Sequence, residues 1–244
     1  MSQFDQSSCG NLLLGLLSAD DYALLQPHFT RLDLHRQFTL ALPDTPVDHV
    51  YFPEGAISSI VSGTPGKGRT EVGIFGREGV SAQFLLLGTD RSPHHAFIQV
   101  GPGTALRIAT APYLAAVERS ASLRGTLLRY AQALMIQTGQ SAAVNAHLRI
   151  EARLARWLLM CHDRIQGDMI ELTHEFMGMM IAAERSGVTV TLHILEGAGM
   201  IRSTRGRVTI VDRGKLIDLA GDGYGLPEAE YSRMLRPFGK GDGA

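Results

Sequence analysis

Cysteines are scarce in this sequence, and long apolar runs are absent. Cys9 and Cys161 are the two cysteines among 244 residues, which excludes a disulfide scaffold and a four-cysteine zinc or iron–sulfur site. No stretch approaches the roughly 18 uninterrupted apolar residues of a membrane span. No basic segment precedes the N-terminal leucines, so we do not expect a signal peptide. These absences predict a cytoplasmic protein without a membrane partner.

The charge is balanced overall but uneven along the chain. The sequence has 23 basic and 24 acidic residues and a formal net charge of −1, which by itself argues against a nucleic-acid partner. Between positions 202 and 215, however, five basic residues stand against one acidic residue. The basic residues are Arg202, Arg205, Arg207, Arg213 and Lys215, and the acidic residue is Asp212. Such a patch suits phosphate groups, although a solvated hairpin surface would have the same composition.

The first 110 residues are typical of a β-rich domain. After short helices, for which Ser18 is the predicted N-cap, six runs of strand-forming residues alternate with turns rich in glycine and proline. The runs span residues 29–34, 47–52, 57–62, 69–75, 96–100 and 105–108. Many short strands at near-regular spacing predict a sandwich, jelly roll or barrel.

After residue 111 the apolar period becomes helical. Leu123, Leu127, Tyr130 and Leu134 begin a row whose steps alternate between four and three residues and which continues to Leu148. This heptad spacing is typical of a helix that pairs with another helix. We therefore predict that the first four residues of the row form the contact between two copies of the chain.

Residues 167–221 contain a helix, a short turn, a second helix from about Arg185 to Ala198, and a hairpin. This order is typical of a winged helix-turn-helix domain, whose second helix enters the major groove of DNA. Arg185 is the predicted base reader, because a guanidinium group can form two hydrogen bonds with guanine. The predicted DNA contacts are Thr173, Glu184, Arg185, Ser186 and Thr189 in the helix pair and Arg202, Arg205 and Arg207 in the hairpin.

These motifs resemble the Crp/Fnr family of bacterial transcription regulators over about residues 12–221. Leu172-Thr173 is similar to the family's entry into the first helix, and Arg185 and Val188 are similar to its Arg-x-x-Val opening of the recognition helix. Upstream, the segments 51–55 and 71–80 are similar to its glycine-rich roll. In the turn before the recognition helix the family usually has a glycine, whereas this sequence has Ala182-Ala183.

The resemblance implies an α+β fold in four parts. Residues 1–110 would form a cyclic-nucleotide-binding-like β-roll or jelly roll, 111–146 a helical linker and dimerisation helix, and 147–221 the winged helix-turn-helix domain. The glycine-rich residues 222–244 are predicted to be a flexible tail. The implied partners are double-stranded DNA with a near-palindromic operator, a second copy of the chain and, as a further candidate, RNA polymerase.

The resemblance also implies a sensory pocket, from which this sequence departs. Family members that bind cyclic nucleotides use a Gly-Glu pair and an Arg-Ser or Arg-Thr pair. Here Glu78 lies near the expected place, but Arg91-Ser92 is followed by Pro93-His94-His95. The candidate pocket residues are Gly76, Glu78, Arg91, Ser92, His94, His95 and Thr138. A cyclic nucleotide is therefore the candidate effector, and an empty or vestigial pocket is the alternative.

Two other classes of protein share some of these features. A cupin-like metalloenzyme is also a β-roll, but His49, His94 and His95 lack the His-x-His spacing of a cupin metal site. No nucleophile elbow or phosphate-binding loop is found, so we predict neither an enzyme nor a metal site. A dimeric scaffold that does not bind DNA is the second alternative, against which Arg185 and the hairpin arginines argue.

Overall fold

The computed structural model describes residues 4–64 and 68–240 of the chain. Its N-terminal helix α1 (Ala19–Leu25) begins at the predicted cap, where the Ser18 side chain accepts a hydrogen bond from the Asp21 backbone N–H. None of the described helices is long and apolar enough to cross a membrane.

Seven antiparallel strands form the predicted roll. They are β1 (Thr30–Leu34), β2 (Thr39–Ala41), β3 (His49–Pro53), β4 (Ile57–Thr64), β5 (Gly68–Phe75), β6 (His95–Val100) and β7 (Gly103–Ala109). One sheet has the order β1-β7-β3 and the other the order β2-β6-β4-β5. Phe52, Ile98 and Leu106 belong to a single apolar core that joins the two sheets. The short strand β2 was not predicted, because three residues are too few to show an alternating pattern.

Three helices follow the roll: α2 (Thr110–Arg119), α3 (Ala121–His147) and α4 (Ile150–His162). The break between α2 and α3 lies at Ser120, whose side chain caps α3 by accepting a hydrogen bond from the Leu123 N–H. The break between α3 and α4 consists of Leu148 and Arg149, both in extended conformation.

The predicted dimer row requires a correction. Leu123, Leu127, Tyr130 and Leu134 are only 0–5% exposed and belong to the apolar core of the roll in the same chain. The Tyr130 ring lies directly on Gly79, where an added Cβ would approach a ring carbon to 2.7 Å. A helix that packs on a sheet buries one stripe with the same spacing as a helix that packs on another helix. The prediction of one buried stripe was therefore correct, but the stripe packs against the roll of its own chain. Its assignment to the contact between two copies of the chain was wrong.

The C-terminal domain has the predicted order of elements. It consists of β8 (Met169–Glu171), α5 (His174–Met180), α6 (Arg185–Gly197), β9 (Ile201–Thr204), β10 (Arg207–Ile210) and α7 (Arg213–Ala220). The three strands form an antiparallel sheet in the order β8-β10-β9. The α+β class and the winged helix-turn-helix arrangement are thus confirmed.

The predicted flexible tail also requires a correction. A helix α8 (Leu226–Met234) follows α7 and packs along α3. Tyr231 is 4% exposed, and Met234, Leu235 and Phe238 pack against the core of the roll. The glycines around this segment suggested a loose chain, but these apolar side chains are covered by the rest of the molecule. Residues 241–244 lie outside the described part of the chain.

Candidate nucleic-acid interface and sensory pocket

The turn between α5 and α6 depends on Gly178. The Ala183 N–H donates to the Gly178 carbonyl at 2.9 Å, and a Cβ at Gly178 would lie 2.7 Å from the Ala183 oxygen. Ala182 adopts the left-handed conformation with φ of 51°, which is costly for a residue other than glycine. The tight turn therefore forms without the expected glycine before the recognition helix, because Gly178 permits the close approach of the two helices.

The helix α6 has one buried and one exposed face. Val188, Leu192 and Leu195 are buried in the core of the C-terminal domain. Glu184, Arg185 and Ser186 are exposed at the beginning of the helix, and the partly exposed Thr189 donates its hydroxyl to the Arg185 carbonyl at 3.0 Å. The predicted residues of the first turn thus share one surface that is open to solvent.

Two further exposed residues on α6 were missed in the sequence. The side chains of Val190 and Ile194 are 59% and 49% exposed. An apolar side chain at the surface of a recognition helix can contact the thymine methyl group in the major groove. In the sequence, Val190 and Ile194 each stand two positions after a residue of the buried face, Val188 and Leu192. Residues two apart on a helix point in different directions, so Val190 and Ile194 could not share that face.

A groove of about 780 Å³ separates α6 from the hairpin of β9 and β10. Its lining includes Thr173, Arg185, His193, Thr204 and Arg205. Thr173 also caps α5, since its hydroxyl accepts a hydrogen bond from the Phe176 N–H at 3.4 Å. The hairpin turns at Gly206, where φ is 74°. Arginines therefore border the groove from both sides.

The arginines in and beside the hairpin differ in their exposure and in their ion pairing. Arg202 and Arg205 are exposed, and Arg207 is exposed but pairs with Glu171 on the neighbouring strand at 3.2 Å. The side chain of Arg213 is only 9% exposed and is bonded to Asp163 at 2.7 Å. The basic patch predicted for residues 202–215 thus has one exposed positive charge fewer, because the Arg213 side chain is bonded inside the domain.

The predicted sensory residues do not come together as one site. Glu78 is buried and bonded to Arg164 at 2.8 Å, and its other oxygen accepts the Gly76 N–H at 3.0 Å. Arg91 is half exposed and pairs with its neighbour Asp90 at 2.8 Å. Ser92 accepts a hydrogen bond from the His94 N–H at 3.3 Å. Glu78 and Arg91, the groups that would hold a ribose and a phosphate, are therefore each paired with another residue of the protein.

His94 and Thr138 do share a pocket, of about 300 Å³, between the roll and α3. Most of its lining is apolar and includes Ile60, Val72 and Phe84. The Nδ1 atom of His94 is buried and lacks a hydrogen-bond partner among the described residues. No arginine or lysine is among the described residues of this lining. The described lining therefore offers no basic side chain to a cyclic phosphate.

His95 lies in a different recess, of about 460 Å³, which Phe97 and Phe176 also line. This recess is formed by the roll and by the first helix of the helix-turn-helix pair. The adjacent histidines therefore belong to separate pockets, as expected for neighbouring side chains on a strand.

A buried carboxyl group that the sequence analysis missed connects the two domains. Glu71 on β5 accepts hydrogen bonds from the Ser59 hydroxyl at 2.5 Å and from Trp157 Nε1 on α4 at 2.8 Å. Burial raises the pKa of Glu71 to about 8. Ile57, Ile74 and Val100 of the roll belong to the same apolar core as Trp157 and α4. The apolar contact between the roll and α4 thus contains a hydrogen-bonded acid.

Comparisons with known proteins agree with this geometry. Residues 152–219 match the family described as the Crp-like helix-turn-helix domain. No curated protein matches the chain at a significant level. A solved structure from Eubacterium rectale, described as a transcriptional regulator of the Crp/Fnr family, is similar with a TM-score of 0.66 and 12% identity, covering 85% of this chain and 97% of that one.

Two further structures show the same fold. A CRP-family regulator from Thermus thermophilus has a TM-score of 0.65 and 19% identity, over 78% of this chain and 97% of its own. FixK2 from Bradyrhizobium japonicum has a TM-score of 0.66 and 14% identity, over 79% of this chain and 98% of its own.

The chain therefore has the fold of the Crp/Fnr regulators and contains a Crp-like helix-turn-helix domain. The helix-turn-helix domain predicted in the sequence is confirmed by the family match, and the Crp/Fnr fold by the structural similarities. Both findings support the predicted class, a DNA-binding transcription regulator. The cupin-like alternative is not favoured. That the chain is not an enzyme stays a prediction.

Proposed function

We propose that two copies of this chain bind a near-palindromic DNA site, each through α6 and the hairpin of β9 and β10. One observation carries the proposal: Arg185 at the exposed start of α6 faces Arg205 of the hairpin across an open groove. Arg185 would contact a guanine edge, since guanidinium recognises guanine in the major groove. Arg202, Arg205 and Arg207 would contact phosphates beside it.

The experiment that tests the proposal is a salt-controlled gel-shift assay on the DNA upstream of the protein's own gene. Three hairpin arginines on each of two subunits are six phosphate contacts, which predicts a log–log slope of affinity against salt of about −5. Replacing Arg205 with alanine should make this slope less negative by about 2. Affinity that does not depend on salt would contradict the proposed contacts.

The proposed dimer contact is the face of α3 that the roll leaves uncovered. This face carries Leu128 and Met135, which is 61% exposed, followed by the small residues Gly139, Ala142 and Ala146. Exposed apolar stripes of this kind are typical of interfaces, and small residues let two helices approach closely. A dimer would place two recognition helices on half-sites about 34 Å apart. RNA polymerase stays a proposed partner.

Single substitutions at two adjacent positions distinguish this exposed face from the buried row that includes Leu134. Met135→Asp should leave the chain folded but monomeric, because an exposed charge is tolerated in the subunit but not in an apolar interface. Leu134→Asp should unfold the roll, because it buries an unpaired charge. Sedimentation and circular dichroism distinguish the two results. A folded monomer from Leu134→Asp, or an unchanged dimer from Met135→Asp, would contradict this assignment.

We also propose that cyclic nucleotides are not the effector of this chain. The lining of the His94–Thr138 pocket supports this, since it is mostly apolar and its described residues offer no basic side chain. Calorimetric titration with cyclic AMP or cyclic GMP at millimolar concentration should show no binding heat, and neither nucleotide should change DNA affinity. Micromolar binding of either nucleotide would contradict the proposal and restore Arg91 as a candidate phosphate ligand.

A further inference from the structure

The two extended residues between α3 and α4 form a hinge candidate between the roll and the C-terminal domain. Leu148 has φ and ψ of −92° and 154°, and Arg149 has −67° and 158°. The helical hydrogen bonding therefore stops here, and rotation about these residues would move α4 and the winged domain as one body. A second connection between the two bodies would restrict this rotation.

Residues 225–240, which we call the strap, make such a connection on the side of the roll. Its helix α8 packs along α3, which belongs to the core of the roll. The Tyr231 hydroxyl donates to the Glu78 carbonyl at 2.6 Å, and this contact is buried. Glu78 lies three residues after the end of β5, so the strap is bonded to the roll itself.

The strap then returns to the winged domain beyond the hinge. The Phe238 ring lies against the Arg164 guanidinium at 5.1 Å. Lys240 Nζ lies 2.9 Å from Asp168 and 2.7 Å from a ring nitrogen of His162. Gly239 permits this course, because its φ is 90° and an added Cβ would lie 2.8 Å from the Asp163 carboxylate. One short segment therefore contacts both sides of the hinge.

The strap lies against a buried ion pair between the two domains. Arg164, at the end of α4, forms its buried ion pair with Glu78 of the roll. Tyr231 bonds the backbone of Glu78, and Phe238 covers Arg164. Opening the hinge would break this ion pair and move Arg164 away from Glu78, so the strap could keep only one of its two contacts. The ion pair and the strap therefore restrain the same movement.

We propose that the strap holds the winged domain in the orientation that binds DNA. The proposal rests on the proposed function. In the held arrangement Arg185, Ser186 and Arg205 remain exposed, so the strap leaves the DNA-binding surface free. A protein whose competent orientation is only partly populated binds more weakly in proportion to that population. A strap that keeps this population high gives full DNA affinity without a small-molecule effector.

The test uses the full chain and substitutions in the strap. Lys240→Ala removes the distal contact, Gly239→Val prevents the course past Asp163, and Tyr231→Phe removes only the hydroxyl. Arg233→Ala is the matched control, because Arg233 lies in the same segment, carries the same charge and is paired with Glu230 of α8 itself. Lys240→Ala and Tyr231→Phe are mild enough that we expect both to fold.

Trp157 reports the state of the domain interface independently of DNA. It is the single tryptophan of the chain, is buried, and is bonded to Glu71 of the roll. Releasing the strap should shift its emission to longer wavelength and increase hydrogen exchange around residues 148–149. Arg233→Ala should leave both signals unchanged. Strap variants whose emission and exchange equal those of the unsubstituted protein would overturn the proposal.

The second measurement is the DNA affinity of the variants in which the strap is released. Lys240→Ala and Gly239→Val should lower DNA affinity about tenfold, as expected when each of the two hinges of the dimer is in the competent orientation about a third of the time. Unchanged affinity, or tighter binding, would overturn the proposal, since tighter binding would mean that the strap inhibits. If the unsubstituted protein binds no DNA, the proposed function fails, whereas the Trp157 signals still show whether the strap holds the hinge.

Discussion

Replacing Arg185 with glutamate is expected to lower affinity for the DNA site by roughly 100-fold, because the change removes a two-point contact with guanine and places a negative charge against the groove. Arg185 is exposed at the first position of α6, and the turn that begins there is not covered by the roll. The substitution should therefore not affect folding. A gel-shift titration at fixed salt measures the loss.

The control for this result is Arg119→Glu, which makes the same change of charge at an exposed position at the end of α2. It should lower affinity far less, since it lies outside the winged domain. Equal losses from the two variants would mean that net charge, not base contact, governs binding. No loss from Arg185→Glu would favour the dimeric scaffold that does not bind DNA.

Replacing Glu78 with alanine should destabilise the chain by about 3–5 kcal/mol, because it leaves the Arg164 charge buried without its partner. The two side chains are 2% and 3% exposed and lie 2.8 Å apart. At about 2–4 °C for each kcal/mol in a chain of this size, the melting temperature should fall by roughly 6–20 °C. Thermal denaturation followed by circular dichroism measures this fall.

A double substitution separates the ion pair from the packing around it. Glu78→Leu with Arg164→Met replaces both charges with apolar groups of similar volume and should be less destabilising than Glu78→Ala alone. Glu118→Ala, at an exposed position on α2, should have little effect. A Glu78→Ala variant as stable as the unsubstituted chain would mean that this carboxylate is free to bind a ligand, as the family resemblance first implied.

Local patterns in the sequence predicted most of the fold and the exposure of the residues that we propose bind DNA. Turn residues separated six of the seven strands, and the cap at Thr173 together with the buried positions of α6 located the helix pair. These features depend on contacts within a few residues, so spacing alone reveals them. The exposure of Arg185 was predicted for the same reason, since an exposed residue on a helix follows from the positions of the buried ones.

The sensory residues could not be assigned in this way. Glu78 lies close to the expected place in the chain, but a partner 86 residues away, Arg164, occupies it. His94 and His95 are neighbours in the sequence and belong to different pockets. Glu71 gave no signal other than a single acid in a strand that is mostly buried. Each assignment depends on which distant element covers the residue.

The sequence by itself thus determined the order of elements, the buried faces and the exposed basic surface that we propose binds DNA, because local propensity and apolar periodicity specify them. Only the tertiary structure decided what each buried face packs against. The row from Leu123 to Leu134 packs on the roll, and Tyr231 turns a glycine-rich end into a strap across the hinge. Periodicity records that a face is buried, whereas the identity of the covering surface arises from contacts between residues far apart in the chain.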